Sequence, residues 1–154
     1  MSRTRQYGKK AETALAMWVK LARAFSTLSR LSADDIRSYG VTPAQFAVLD
    51  ALGHLGPMSL GDLSRKMLVS CGNTTVIVDN LEKEGLLERS ALAGDRRVTV
   101  VQLTVKGQKM FHEVFPQHAA AMTEYISVLP EKEQVRLGSL LKKLGLGLEA
   151  RNDN

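Results

Sequence analysis

Between Gly85 and Thr104 the hydrophobic spacing of this chain switches, and that switch limits the folds open to it. Ahead of Gly85, apolar residues recur every three or four positions, as on one face of an α-helix. After it, Leu86–Arg89 reads as a short strand and Ser90–Asp95, with Gly94, as a turn. Arg96, Val98, Val100, Val101 and Leu103 then form a β-branched run of strand type. A two-stranded hairpin is expected directly after a helix.

The segments before the hairpin carry their own boundaries. Leu15, Trp18, Ala22, Phe25 and Ser29 give residues 11–38 the amphipathic template of a long helix. Leu21, Leu28 and Leu31 widen its apolar face, and Gly40 can end it in a left-handed conformation. Thr42-Pro43-Ala44-Gln45 is a capping box with proline at the first helical position. The helix it opens runs through Phe46, Val48, Leu49 and Leu52 to Gly56-Pro57. Ser59 and Asp62 start a short helix with Leu60, Leu63 and Met67 inward, and Val69-Ser70 is a tight connection. Ser70 caps a longer helix, about Cys71 to Glu84, with Thr74, Ile77, Val78 and Leu81 at helical spacing and Gly85 at its end. This is the order of a helix-turn-helix, and the hairpin that follows is a wing.

Thr104 caps another long helix to about Val128, which Pro116 is expected to kink or divide. After the break at Leu129-Pro130-Glu131, a last helix carries Val135, Leu137, Leu140, Leu141, Leu144 and Leu148 on one face, and Ala150–Asn154 read as disordered. The expected fold class is mainly α with a small β wing. A winged helix-turn-helix over 41–104 is flanked by long helices, 11–38 and 105–148, in one domain of 154 residues. The flanking helices carry more apolar surface than so small a winged domain covers. Burying it at about 25 cal/mol per Å² favours a homodimer through both ends of the chain.

One cysteine excludes an internal disulfide and fits a reducing compartment. No apolar run approaches the roughly 18 residues of a membrane span, so no membrane partner is expected. The first residues, MSRTRQYGKK, lack the apolar stretch of a signal peptide, and the expected location is cytoplasmic. The net charge is +5. Arg3, Arg5, Lys9, Lys10, Lys20, Arg23 and Arg30 against Glu12 give residues 1–30 a local excess of six. Such an arm either contacts phosphates or serves as a solvated tail.

In order along the chain, VTPAQFAVLDAL (41–52), LSRKMLVS (63–70), GNTTVIVDNLEKEGLLER (72–89), DRRVTVVQLTVKG (95–107) and LPEKEQVRLGSLLKKL (129–144) resemble the MarR family of bacterial winged-helix transcription regulators. The resemblance covers nearly the whole chain. It implies a homodimer whose recognition helices and wings straddle a palindromic operator in double-stranded DNA. It also implies that Arg97 enters the minor groove and that Asp95 orients it. Many members carry basic residues where this chain has Val76 and Asn80. Its recognition helix holds no positive charge before Lys83, and phosphate neutralisation falls to the arm, Arg65, Lys66 and the wing.

The residues themselves agree with that division. Ser70, Asn73, Thr74 and Thr75 are short polar side chains able to reach base edges or phosphates in a major groove. Arg65 and Lys66 are assigned to phosphate, as are Arg89 and Arg96, while Arg97 on a narrow hairpin suits the negative potential of a minor groove. Cys71, at a helix start that lowers thiol pKa, is either a redox sensor or a small residue filling a turn. Relatives that sense oxidants generally do so through a cysteine near the first helix, which this chain lacks.

Many relatives hold a small aromatic acid between the dimerisation helices and the winged domain. Trp18, Phe25, Phe111, His112 and Phe115 can line such a crevice, with Arg23 for a carboxylate; core packing is the alternative for each aromatic. His54, His112 and His118 show no metal-site spacing, and no nucleophile, phosphate-loop or dinucleotide motif is present. Neither a cofactor nor catalysis is expected. The reading is a homodimeric repressor released by a ligand or stress signal. Its rivals are a redox regulator acting through Cys71 and a winged-helix interaction module without DNA binding.

Overall fold

The computed structural model describes residues 7–67 and 74–152, with Arg96 and Asn152 described in their backbone alone. Helix α1 spans Lys9–Ser38, α2 Pro43–Leu55, α3 Leu60–Lys66 and α4 Thr74–Lys83. Strand β1 is Met58–Ser59, β2 Leu87–Leu92 and β3 Asp95–Leu103; α5 (Val105–Ile126) and α6 (Glu131–Asn152) complete the chain. The chain divides after His118 into two compact units.

In the first unit the local signals act as expected. Thr42 and Gln45 form a reciprocal capping box, and α2 buries Phe46, Val48, Leu49 and Leu52. Ser59 accepts the Asp62 amide to open α3. At the end of α4, Gly85 sits at φ 72°, where its amide donates to Glu82 and the Leu86 amide donates to Leu81. That is a Schellman closure, and its accompanying apolar pair, Leu81 and Leu86, is buried. These residues join Leu63, Val78, Leu87 and Val101 in one core. Near the C-terminal end of α1, Asp35 accepts from the Tyr39 hydroxyl at 2.8 Å and lies 2.6 Å from Nδ1 of His118 on α5. The imidazole in turn meets Phe46 edge-on at 4.8 Å.

Four expectations need correction. The sheet has three strands, not two, in the order β1-β3-β2, with Met58 and Ser59 opposite Val101 and Val100. A two-residue strand is too short to show a period; β3 recruits it because an inner strand pairs on both sides. The wing is longer than expected: Ser90 and Ala91 pair with Val100 and Thr99, which leaves Ala93 and Gly94 as the turn. Gly94 has φ 91°, as a tight reversal demands. Pro116 does not divide α5, which runs unbroken from Val105 to Ile126. Ala150–Asn152 belong to α6, because no proline or glycine follows Leu148 and Glu149-Ala150-Arg151 are good helix formers.

The start of α5 is pressed onto the end of α4. Thr104 Oγ1 accepts from the Gly107 amide at 3.0 Å and donates to the Gly85 carbonyl at 2.7 Å. Lys106 Nζ donates to the Glu84 carbonyl at 2.7 Å. Gly107 is required there, since a Cβ would overlap the carbonyl oxygen of Leu86. In the second unit, Gln134 donates to the carbonyl of Leu129 at 2.8 Å, closing the turn into α6.

Candidate nucleic-acid interface

The candidate reading helix is α4. It buries Val78 and Leu81 and leaves Thr75, Val76, Asn80 and Lys83 exposed, with Thr74 half-buried at its start. Ser70, Cys71 and Asn73 lie outside the described residues. On α3, Arg65 and Lys66 are both exposed. Arg65 is paired with Asp62, whose carboxyl is held below the usual range by the Ser59 hydroxyl first and by Arg65 second.

At the wing tip, Asp95 Oδ1 accepts from the Arg97 amide at 3.0 Å and from Arg97 Nε at 3.2 Å. The Arg97 side chain is 92% exposed, and Asp95 is less so. The side-chain bond from Arg97, then its backbone amide, lowers the Asp95 carboxyl below the ordinary carboxylate value. A charged carboxylate on Nε fixes the plane of the guanidinium and stands it out from the hairpin.

Arg89 is placed differently. Its side chain is only 23% exposed, and it donates to Asp79 and Glu82 of α4. A longer contact of 3.5 Å reaches the carbonyl of Thr75. Burial works against the charge, yet the bonds to Asp79 and Glu82 prevail and keep the group firmly protonated. Sequence reasoning missed this set of contacts. Its signal was available: Asp79 and Glu82, three apart, share a helix face.

The expected crevice residues separate into two groups. Phe111 and His112 line an open cleft of about 690 Å³, along with Leu52, Pro57, Glu88 and Lys106. Phe115 packs with Phe111 around His54, at centroid distances of 4.3 and 5.0 Å from the imidazole. Trp18 (61% exposed), Phe25 (68%) and Arg23 lie on the open surface of α1, away from that cleft. Among the described residues no group of histidine, cysteine or acidic side chains is placed to hold a metal ion. No helix among them is long and apolar enough to cross a membrane.

Comparison with known proteins points the same way as this geometry. The sequence profile of the MarR family matches residues 41–99. The chain is 39% identical over 135 residues to the HTH-type transcriptional regulator MhqR of Bacillus subtilis, covering 88% of this chain and 93% of MhqR. It is 30% identical to the HTH-type transcriptional repressor MdtR of the same organism, covering 85% of this chain and 84% of MdtR. Its fold matches that of Bordetella bronchiseptica BpsR, whose DNA binding is regulated by 6-hydroxynicotinic acid. There the TM-score is 0.70 at 24% identity, over 82% of this chain and 98% of BpsR. With a helix-turn-helix, a wing and near full-length kinship in agreement, the chain belongs to the MarR family of winged helix-turn-helix transcription regulators.

Proposed function

We propose that the chain is a homodimeric repressor that binds a palindromic operator and releases it when a small aromatic or anionic effector binds. The observation that carries this reading is the wing tip: an arginine, oriented by its own aspartate, on a hairpin fastened to α4. Arg97 enters the minor groove, and Arg65, Lys66 and Arg96 meet phosphates. Ser70, Asn73, Thr74 and Thr75 read base edges in the major groove. Arg89 takes no part in the contact, its guanidinium being engaged within the protein.

The apolar surfaces of α1 and α6 support a dimer. Trp18 and Phe25 on α1, and Val135, Leu140 and Leu148 on α6, stand exposed in the single chain. Exposed apolar surface on that scale marks an interface, and a two-fold interface makes the preferred DNA palindromic. The repressor role follows the kinship with MdtR. The effector class follows BpsR and the cleft at Phe111 and His112, whose volume suits a small ligand. Release works by changing the spacing of the two reading heads, which must match one helical turn of roughly 34–36 Å.

Selection of bound duplexes from a random-sequence pool tests this. The expected result is an enriched palindrome, bound by a species that sediments as a dimer and freed by hydroxylated aromatic acids. A pool that shows no enrichment overturns the reading.

A further inference from the structure

Helix α4 approaches a polyanion while carrying the wrong charge. Between its ends lie Asp79, Glu82 and Lys83, a net of minus one. Two carboxylates held near phosphates cost affinity whatever the base sequence. Arg89 of β2 meets both of them, and the carbonyl of Thr75 as well. Positions 75, 79 and 82 follow one another along a single stripe of the helix, so the guanidinium lies across two turns of α4.

We propose that Arg89 is a positioning residue: it cancels the acidic flank of α4 and fixes the angle between the reading helix and the wing, and so sets sequence selectivity without touching DNA. Three features support this. The side chain is largely covered, whereas Arg97 is open. Its acceptors all belong to one other element. A planar fork holds two carboxylates on separate nitrogens in a fixed geometry, which the single, freely rotating ammonium of lysine does not. The inference rests on the reading of α4 as the base-contacting element.

The test uses a duplex selected by the wild-type protein and its base-shuffled counterpart, each titrated over a salt series. Arg89→Lys should lower the selected-to-shuffled affinity ratio about tenfold, the size expected when groups acting as a unit are parted. The slope of log affinity against log salt should stay unchanged. Asp79→Asn combined with Glu82→Gln should lower the ratio similarly, although it removes negative charge, and adding Arg89→Lys to it should cost nothing more. Melting curves on each variant confirm folding, and if Arg89→Lys does not fold, the amide pair decides.

A lysine variant that keeps the ratio within about twofold would overturn the proposal. So would an Arg89→Gln variant that weakens both duplexes equally and lowers the salt slope by about one, the signature of a phosphate contact. A wild type that selects no duplex overturns the reading of α4 itself, and this inference with it; a selective wild type matched by its lysine variant overturns the inference alone.

Discussion

The two ends of the wing hairpin are built on opposite principles. At the root, β2 and β3 enter a region where Leu86, Leu87, Val101 and Leu103 are buried, Thr104 and Lys106 donate to the Gly85 and Glu84 carbonyls just after α4, and Gly107 packs against the Leu86 carbonyl. At the tip, one aspartate two residues from one arginine supplies the order. The root takes its geometry from distant parts of the chain, and the tip takes its own from adjacent residues. Substitutions at the root should therefore be read as stability, and those at the tip as binding.

The strongest challenge to that contrast is Gly107→Ala. A methyl there meets backbone, which cannot rotate away, so urea unfolding should show a loss of about 3 kcal/mol, the upper range for overpacking. A change below about 0.5 kcal/mol would mean that the root is loose. At the other end, Arg97→Ala should leave the unfolding midpoint unchanged. It should weaken selected and shuffled duplexes alike by about tenfold and reduce the salt slope by about one. A fall in stability instead would erase the distinction.

Thr104→Ala sharpens the comparison at smaller scale. It removes the cap of α5 and the bond to Gly85 and should cost about 1 kcal/mol in the same unfolding assay. The smallest effect concerns pH. Asp95 has a lowered carboxyl in the folded chain. Its contribution is thus present above the unfolded value of about 3.9 and is lost as pH falls through the lower folded one. The amide resonance of Arg97 should accordingly hold steady from pH 8 to 5 and shift only in more acidic solution. An inflection near neutrality would show that Asp95 is not what orders the tip.

What the sequence disclosed follows the same division. The Thr42–Gln45 box and the closure at Gly85 are decided within six residues, and both read correctly. The contact between Asp95 and Arg97 came from the family resemblance and joins residues only two apart. The third strand was not legible, because Met58 and Ser59 become a strand only through β3, more than 40 positions away. The shared helix face of Asp79 and Glu82 is legible in their spacing, but that Arg89 is what meets it, and that Gly107 is crowded against Leu86, depends on elements meeting in space. The end of α6 was misjudged for a different reason: a helix of good formers without a stop signal continues until something interrupts it.

The brevity of β1 has a consequence for the behaviour of the protein at high concentration. It covers β3 only at Val100 and Val101; nearer the tip β3 meets β2 at Thr99 and Asp95, across a register shift, and among the described residues no strand flanks its other side there. An uncovered strand flank invites pairing with another molecule, and charged side chains on it are what discourage that. Asp95 and Arg97 stand on this flank. Neutralising the pair would therefore leave a chain more prone to form intermolecular sheet, so the charge at this tip also serves colloidal solubility.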